Sequence, residues 1–294
     1  MMPNRGITFI LIATLSFAIM NVLAKALTDL HFSQIVFFRA LGTFVFVFPY
    51  MLFKGISLIG NNPKLLTLRA FAGLFSLATF FMAIQIIPLG SAISIRYIGP
   101  IFGAVLAYFY LKEDVNKWQW LSFGIAFSGV IVLKGFDLRV SSLGLALSVT
   151  SAFFIGFVFV LIRYLATREH YMTIINYFMV VAILGSLFFV NHWRMPIASE
   201  WYAVSLIGVF GLVGQIFMTK AFSLETASVL APFKYMEIVY ALIMGLIFFG
   251  EGYTFLALIG IFLIVGGMIL NVLAKNKKPK LQSNKKISLS PKRK

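Results

Sequence analysis

The chain has 294 residues, 61% of them hydrophobic and only 12% charged, with a mean hydropathy of +0.96. Soluble domains carry about 25% charged residues, so a single wetted globule is excluded, and the lack of cysteine excludes disulfides and thiolate-held metals. The net charge of +16 does not indicate nucleic acid, because nine of the 25 basic residues lie in a tail after Ala274 and most others sit in short links.

Apolar blocks of about 20 residues between polar links suit a chain that crosses a bilayer repeatedly, since in lipid a helix satisfies its own backbone. In chain order the blocks predict helices over 7–27, 34–53, 68–87, 91–111 and 117–134. A second set follows over 142–163, 171–190, 201–222, 227–249 and 252–273. Residues 7–27 are too long for a signal peptide's apolar core and lack a small-residue cleavage pattern, so they count as the first span.

With the N-terminus inside, the cytoplasmic links receive Arg5, Lys54, Lys64, Arg69, Lys112, Lys117, Arg163, Arg168 and Lys220. The other side receives Lys25, Lys134, Arg139 and Arg194, and this bias places both termini in the cytoplasm. The tail 275–294 is expected to be disordered, either as a solubilising anchor or in contact with anionic lipid headgroups.

A shift of 138 residues lays the chain on itself. Gly6 falls on Gly144, Leu27 on Leu165, Gly73 on Gly211, Ala83 on Ala221, Tyr97 on Tyr235, Glu113 on Glu251 and Gly129 on Gly267. Lys25 pairs with Arg163 and Arg96 with Lys234. The chain therefore divides into a first repeat, 1–137, a second, 138–274, and the basic cytoplasmic tail, 275–294. Five helices per half is odd, so the second half enters from the opposite side. The predicted fold is an all-α integral membrane protein of ten transmembrane helices in two inverted five-helix repeats, a recurrent transporter design.

The segments 37-FFRAL-41 with Pro49, 68-LRAFAG-73, 83–133 and 225–270, found in this order, resemble the drug/metabolite transporter superfamily, specifically its EamA-type ten-helix members. The resemblance covers residues 6–274. It implies facilitated or proton-coupled movement of small organic solutes in the cell inner membrane, through a cavity lined by the first, third and fourth helices of each half. It also implies peripheral fifth and tenth helices, where a homodimer could form, and it makes Arg39 a structural or gating residue.

Charges within the spans are the chemically informative residues, because a bare charge at mid-bilayer costs about 2.5–3.5 kcal/mol even on the permissive scale. Arg96 and Lys234 lie about 7–10 Å inside their helix ends, within snorkelling reach, whereas Glu237 lies near midplane on a stem too short to escape. Lys234 and Glu237, three apart, are expected to share a helix face and to pair, either as a fixed ion pair or as a switch for protons or a substrate ammonium. A pairing of Arg96 with Glu237 across the repeat axis is the other arrangement. Arg39, Arg96, Lys234 and Glu237 together leave +2, a field that favours a ligand carboxylate or phosphate. Asn21, Gln85, Gln215, Tyr97 and Tyr235 complete the expected substrate cavity, with interhelical hydrogen bonding as the alternative for each amide. Pro100 and Pro232 fall inside spans, where they would break the helical ladder beside Arg96 and Lys234, for gating or for packing alone. Gly99 and Gly103 are a candidate close-packing pair, and Gly266 with Gly267 would permit a tight peripheral contact.

No phosphate-cradling GxxxxGK[ST] stretch is present, and His31, His170 and His192 lie in separate links, so neither ATP-driven chemistry nor a metal site is expected. No catalytic spacing, enzyme activity or cofactor is expected either. The reading is an alternating-access transporter of a small carboxylate- or phosphate-bearing metabolite, possible coupling being to protons, with the bilayer as its surroundings and no nucleic-acid partner. The alternatives are an exporter of amino acids or amphipathic drugs and a non-transporting membrane scaffold or lipid-binding protein.

Overall fold

A computed structural model describes residues 5–111, 115–225 and 227–276. Lys112, Glu113, Asp114 and the tail beyond 276 lie outside the described residues, as does any structural test of the Glu113–Glu251 equivalence. The described chain is helical: α1 Arg5–Ala26, α2 Phe32–Phe53, α3 Pro63–Ile86, α4 Leu89–Arg96, α5 Gly99–Leu111 and α6 Lys117–Phe136. There follow α7 Ser142–Leu165, α8 Tyr171–Leu187, α9 Trp201–Leu224, α10 Ala227–Lys234, α11 Met236–Phe249 and α12 Phe255–Asn276. Among the described residues nine spans are long and apolar enough to cross a membrane, and α8, 17 residues long, is a shorter tenth. The protein is a multi-pass membrane protein.

Where helices begin follows local chemistry. Asn116 and Gln119 form a reciprocal capping box at the start of α6, and the Ser141 hydroxyl accepts the Gly144 N–H at the start of α7. Pro63 opens α3 at its first position, five residues ahead of the expected start at 68, because proline's missing N–H costs nothing there. That correction matters below, since it sets Arg69, counted above with the link although at the edge of the predicted helix, more than a turn inside α3.

The fourth and ninth spans are each two helices rather than one. The break in the first half falls at Tyr97 and Ile98, and in the second at Tyr235. The two tyrosines, 138 residues apart, have nearly the same backbone: φ −68°, ψ −7° and φ −70°, ψ −8°. The prolines are not equivalent, since Pro100 follows its break while Pro232 lies inside α10, ahead of the other.

The packing repeats with the sequence. α1 lies on α9 as α7 lies on α3, and α6 lies on its own mate α12. Small residues set the closest crossings. A Cβ on Gly156 would come within 2.5 Å of the Gly99 carbonyl oxygen and 2.7 Å of the Gly103 nitrogen, so the expected pair packs on α7. Gly267 turns inward against Ala126 of α6, at 2.8 Å from its nitrogen, while Gly266 faces open space. The tight contact of the last helix is thus within the chain. Exposed Phe127, Ile131, Phe255 and Phe262 give α6 and α12 an apolar outer face, as lipid requires.

Candidate functional site

A cavity of ≈ 210 Å³ lies at mid-depth among α1, α2, α3, the α4–α5 and α10–α11 breaks, α7, α8 and α9. Its wall is mostly apolar, with Asn21, Arg39, Arg69, Arg96, Tyr97, Gln215, Lys234 and Glu237 as the polar and charged side chains that line it. That room suits a small metabolite better than a single bare ion.

Glu237 is 6% exposed and is the cavity's one acid. It is held by neutral donors: Asn21 Nδ2 donates to Oε1 at 3.1 Å and the Tyr97 hydroxyl to Oε2 at 2.7 Å. The expected ion pairs with Lys234 and Arg96 do not form within 4.0 Å among the described residues. The reason is the break at Tyr235: Lys234 ends α10 and Glu237 lies in the first turn of α11, so the three-residue spacing no longer describes one helix face. Lys234 Nζ instead lies over the Phe159 and Tyr97 rings, at 5.4 Å and 5.9 Å from their centroids. The Arg96 guanidinium carbon sits 4.3 Å from the Phe80 centroid and its Nε is buried with no acceptor.

Two further arginines share one ring. Arg39 and Arg69, 9% and 8% exposed, lie over Phe178 with guanidinium carbons 5.9 Å and 4.9 Å from its centroid. Arg39 Nε reaches only the Met20 sulfur, at 3.2 Å, while Arg39 Nη1 and Arg69 Nε and Nη1 meet no acceptor. Repeat-mate glycines make the room: a Cβ on Gly73 would touch the Phe178 ring at 3.0 Å, and one on Gly211 the Met20 sulfur at 3.3 Å.

Arg96, Tyr97, Asn21, Gln215, Lys234, Glu237, Arg39 and Pro100 therefore meet around one space. Tyr235 stands behind it, its ring 5.4 Å from that of Tyr97, and Pro232 is away from the cavity lining. Gln85 is elsewhere. Its Nε2 donates to the Leu30 carbonyl at 3.1 Å, beside a second depression at the other end of the helices, because it lies one residue before the last of α3. Sequence reasoning missed Arg69 and Phe178. The asparagine–proline start at Asn62–Pro63 was the available signal for the arginine.

The second depression brings together two histidines expected to be separate. The His31 and His192 rings stack at 5.4 Å, with His31 Nδ1 2.7 Å from the Ser33 hydroxyl. Partial burial, and then His192, hold His31 below its ordinary value of 6.5. Among the described residues no three potential metal-ligating side chains converge.

On that same side, outside the cavity lining, lies a buried strut. Lys25 Nζ pairs with Glu251 Oε1 at 2.7 Å and donates to the Ile84 and Ile87 carbonyls at 2.9 Å and 2.7 Å. Glu251 Oε2 accepts the Leu89 N–H at 2.8 Å and the Tyr253 hydroxyl at 3.2 Å. Burial first, with Glu251 adding to it, pushes the Tyr253 phenol well up, so it keeps the proton it donates. Gly250, at φ 63°, turns the chain out of α11 toward this position. The strut joins α1, α3, α4 and the α11–α12 turn. In the opposite direction the cavity wall continues to Ile162 and Met218, close to the ends of α7 and α9.

The EamA-like transporter family matches this chain twice, over residues 4–134 and 142–273. The pseudopaline exporter CntI of Pseudomonas aeruginosa is 32% identical over 280 residues, 94% of this chain and 98% of that protein. The S-adenosylmethionine uptake transporter of Rickettsia prowazekii is 25% identical, over 84% and 85% of the two chains. Human solute carrier family 35 member G1 is 27% identical, over 85% of this chain and 73% of that one. A solved crystal structure, 20% identical and covering 90% of this chain and 98% of its own, superposes with a TM-score of 0.60, which supports the fold. Two matches in tandem, laid over two five-span halves of opposite entry, place the chain: it is a member of the EamA-like transporter family.

Proposed function

We propose that this protein carries a small organic anion, bearing a carboxylate or phosphate, across the inner membrane by alternating access. One observation carries the reading: Arg96 and Lys234, repeat mates, line the same cavity, and neither forms an ion pair among the described residues. Two buried cations that share a single acid and pair directly with neither each other nor it are costly, and an anionic ligand supplies the charge that Glu237 alone does not. The Lys25–Glu251 strut supports alternating access, as the closed side of a cavity whose other end continues toward the N-terminal face. Moving Lys25 and Arg69 from links into the interior leaves eight basic link residues against three, so the charge bias still favours both termini in the cytoplasm.

Glu237 suits a coupling role. Protonation would turn one of its two accepted hydrogen bonds into a donated one, altering how Asn21 and Tyr97 hold the α10–α11 break. The relatives are named for opposite directions of transport, export in one and uptake in another. Direction is therefore read from transport itself, by loading proteoliposomes with anions on either side at imposed pH gradients. The reading expects saturable movement of carboxylates or phosphates that Arg96→Ala and Lys234→Ala each weaken. Movement restricted to cations or neutral aromatics would overturn it.

A further inference from the structure

Arg39 and Arg69 line the cavity, lie at least nine-tenths buried, converge on one Phe178 ring, and between them carry three buried guanidinium nitrogens with no acceptor. Neither is a repeat mate of a charge: a shift of 138 sets Arg39 on Tyr177 and Arg69 on Ile207. The Arg96–Lys234 pair is thus the quasi-symmetric part of the site, while Arg39–Arg69 belongs to the first half alone. With all four cations and Glu237 the cavity carries a net +3, more than one monoanion could balance.

We infer that Arg39 and Arg69 form a second anion subsite, so that the transported ligand carries at least two acidic groups, one for this pair and one for Arg96 and Lys234. The inference rests on the anion-carrier reading and narrows it to dicarboxylates or phosphorylated acids. Planar guanidinium forks suit it, since each can take two oxygens of one carboxylate or phosphate. Phe178 gives both forks a flat, apolar back, which leaves their edges for the ligand. Gly73 and Gly211 keep that arrangement from being crowded. A structural role would instead show these arginines bonded to helix-end carbonyls or acids, as Lys25 is.

The test uses purified full-length protein, with acetate, succinate, glutarate, citrate and inorganic phosphate titrated at constant ionic strength and read by binding isotherm and melting temperature. Wild type is expected to bind the best di- or triacid about tenfold or more tighter than acetate. Arg69→Met should erase that preference while leaving acetate affinity within about threefold, whereas Arg96→Met should weaken all the acids. Arg69→Met should also raise the melting temperature of the ligand-free protein, because it removes an unpaired buried cation. Equal affinity of wild type for acetate and the diacids overturns the second subsite while leaving the anion-carrier reading intact. A fall in ligand-free melting temperature with diacid preference retained also overturns it. Absence of binding by every anion overturns both. Arg39→Met carries the same expectations should Arg69→Met not yield folded protein.

Discussion

Two buried cationic regions lie within one helix bundle and are satisfied in opposite ways. Lys25 has a carboxylate and two carbonyls around its ammonium, all within 2.9 Å. The cavity arginines lie against aromatic rings and carry buried guanidinium nitrogens that meet no acceptor. A protein that buries charge for its own architecture completes the hydrogen bonds, as a buried unsatisfied group costs about 1–3 kcal/mol. Incomplete bonding around a cavity points instead to a partner that comes and goes. The contrast separates closure from recognition without reference to what any relative transports.

The sharpest way to break the contrast is at the strut. Lys25→Met or Glu251→Gln alone should destabilise the protein by about 3 kcal/mol, since each leaves a buried partner uncompensated. The double substitution should recover part of that loss, and thermal unfolding followed by tryptophan fluorescence measures both. The cavity behaves the other way, Arg69→Met being stabilising when the cavity is empty.

Next in size is Glu237→Gln. The amide keeps the side chain's shape and can still accept from Tyr97, so ligand affinity should change less than about threefold while the pH dependence of transport between about pH 5.5 and 7.5 flattens. Proteoliposome flux across that range reads the outcome, and an unchanged slope would remove Glu237 from coupling. Gly73→Ala is subtler. Its Cβ would press on Phe178 at 3.0 Å, a contact that the ring can relieve by tilting. Diacid affinity should fall a few-fold, while Gly266→Ala, in open space, should leave it unchanged.

The smallest effect belongs to His31. Its folded-state value lies below 6.5, so the unfolded chain takes up its proton first as pH falls. Stability should be flat with respect to this group above about pH 6.5 and decline below it, and His31→Asn should remove that decline. An acid limb unaltered in His31→Asn would show that the histidine stack contributes nothing to it.

Much of the architecture was legible in the sequence because bilayer thickness fixes span length and the 138-residue shift fixes the pairing of halves. Ten spans were found, and the charges at 96, 234 and 237 do surround one cavity. What was not legible was which face each helix turns inward. In lipid, both the outer face and the packed interior are apolar, so a helix such as α3 carries little pattern to show that Arg69 points at Phe178 rather than away. The Lys234–Glu237 pairing failed for another reason: spacing rules assume one continuous helix, and the break at Tyr235 removes that assumption. Gln85 failed by depth, since a polar residue near a helix end can serve a loop carbonyl instead of the middle of the bundle.

The seam between α6 and α12 has a mechanical consequence. At Gly129, Gly260 and Gly267 the two helices meet backbone to backbone: a Cβ on Gly129 would reach the Gly260 carbonyl oxygen at 2.6 Å, and one on Gly260 the Leu133 nitrogen at the same distance. Surfaces that mesh this closely can rotate slightly against each other but cannot slide by a turn without driving side chains into main chain. The last helix of each half is thus fastened to the other like a hinge pin, so that, in the alternating-access reading proposed above, the motion that would expose the cavity to either side falls to the other ten helices. A cross-link along that pin should therefore spare transport, whereas one between α1 and the α11–α12 turn should stop it.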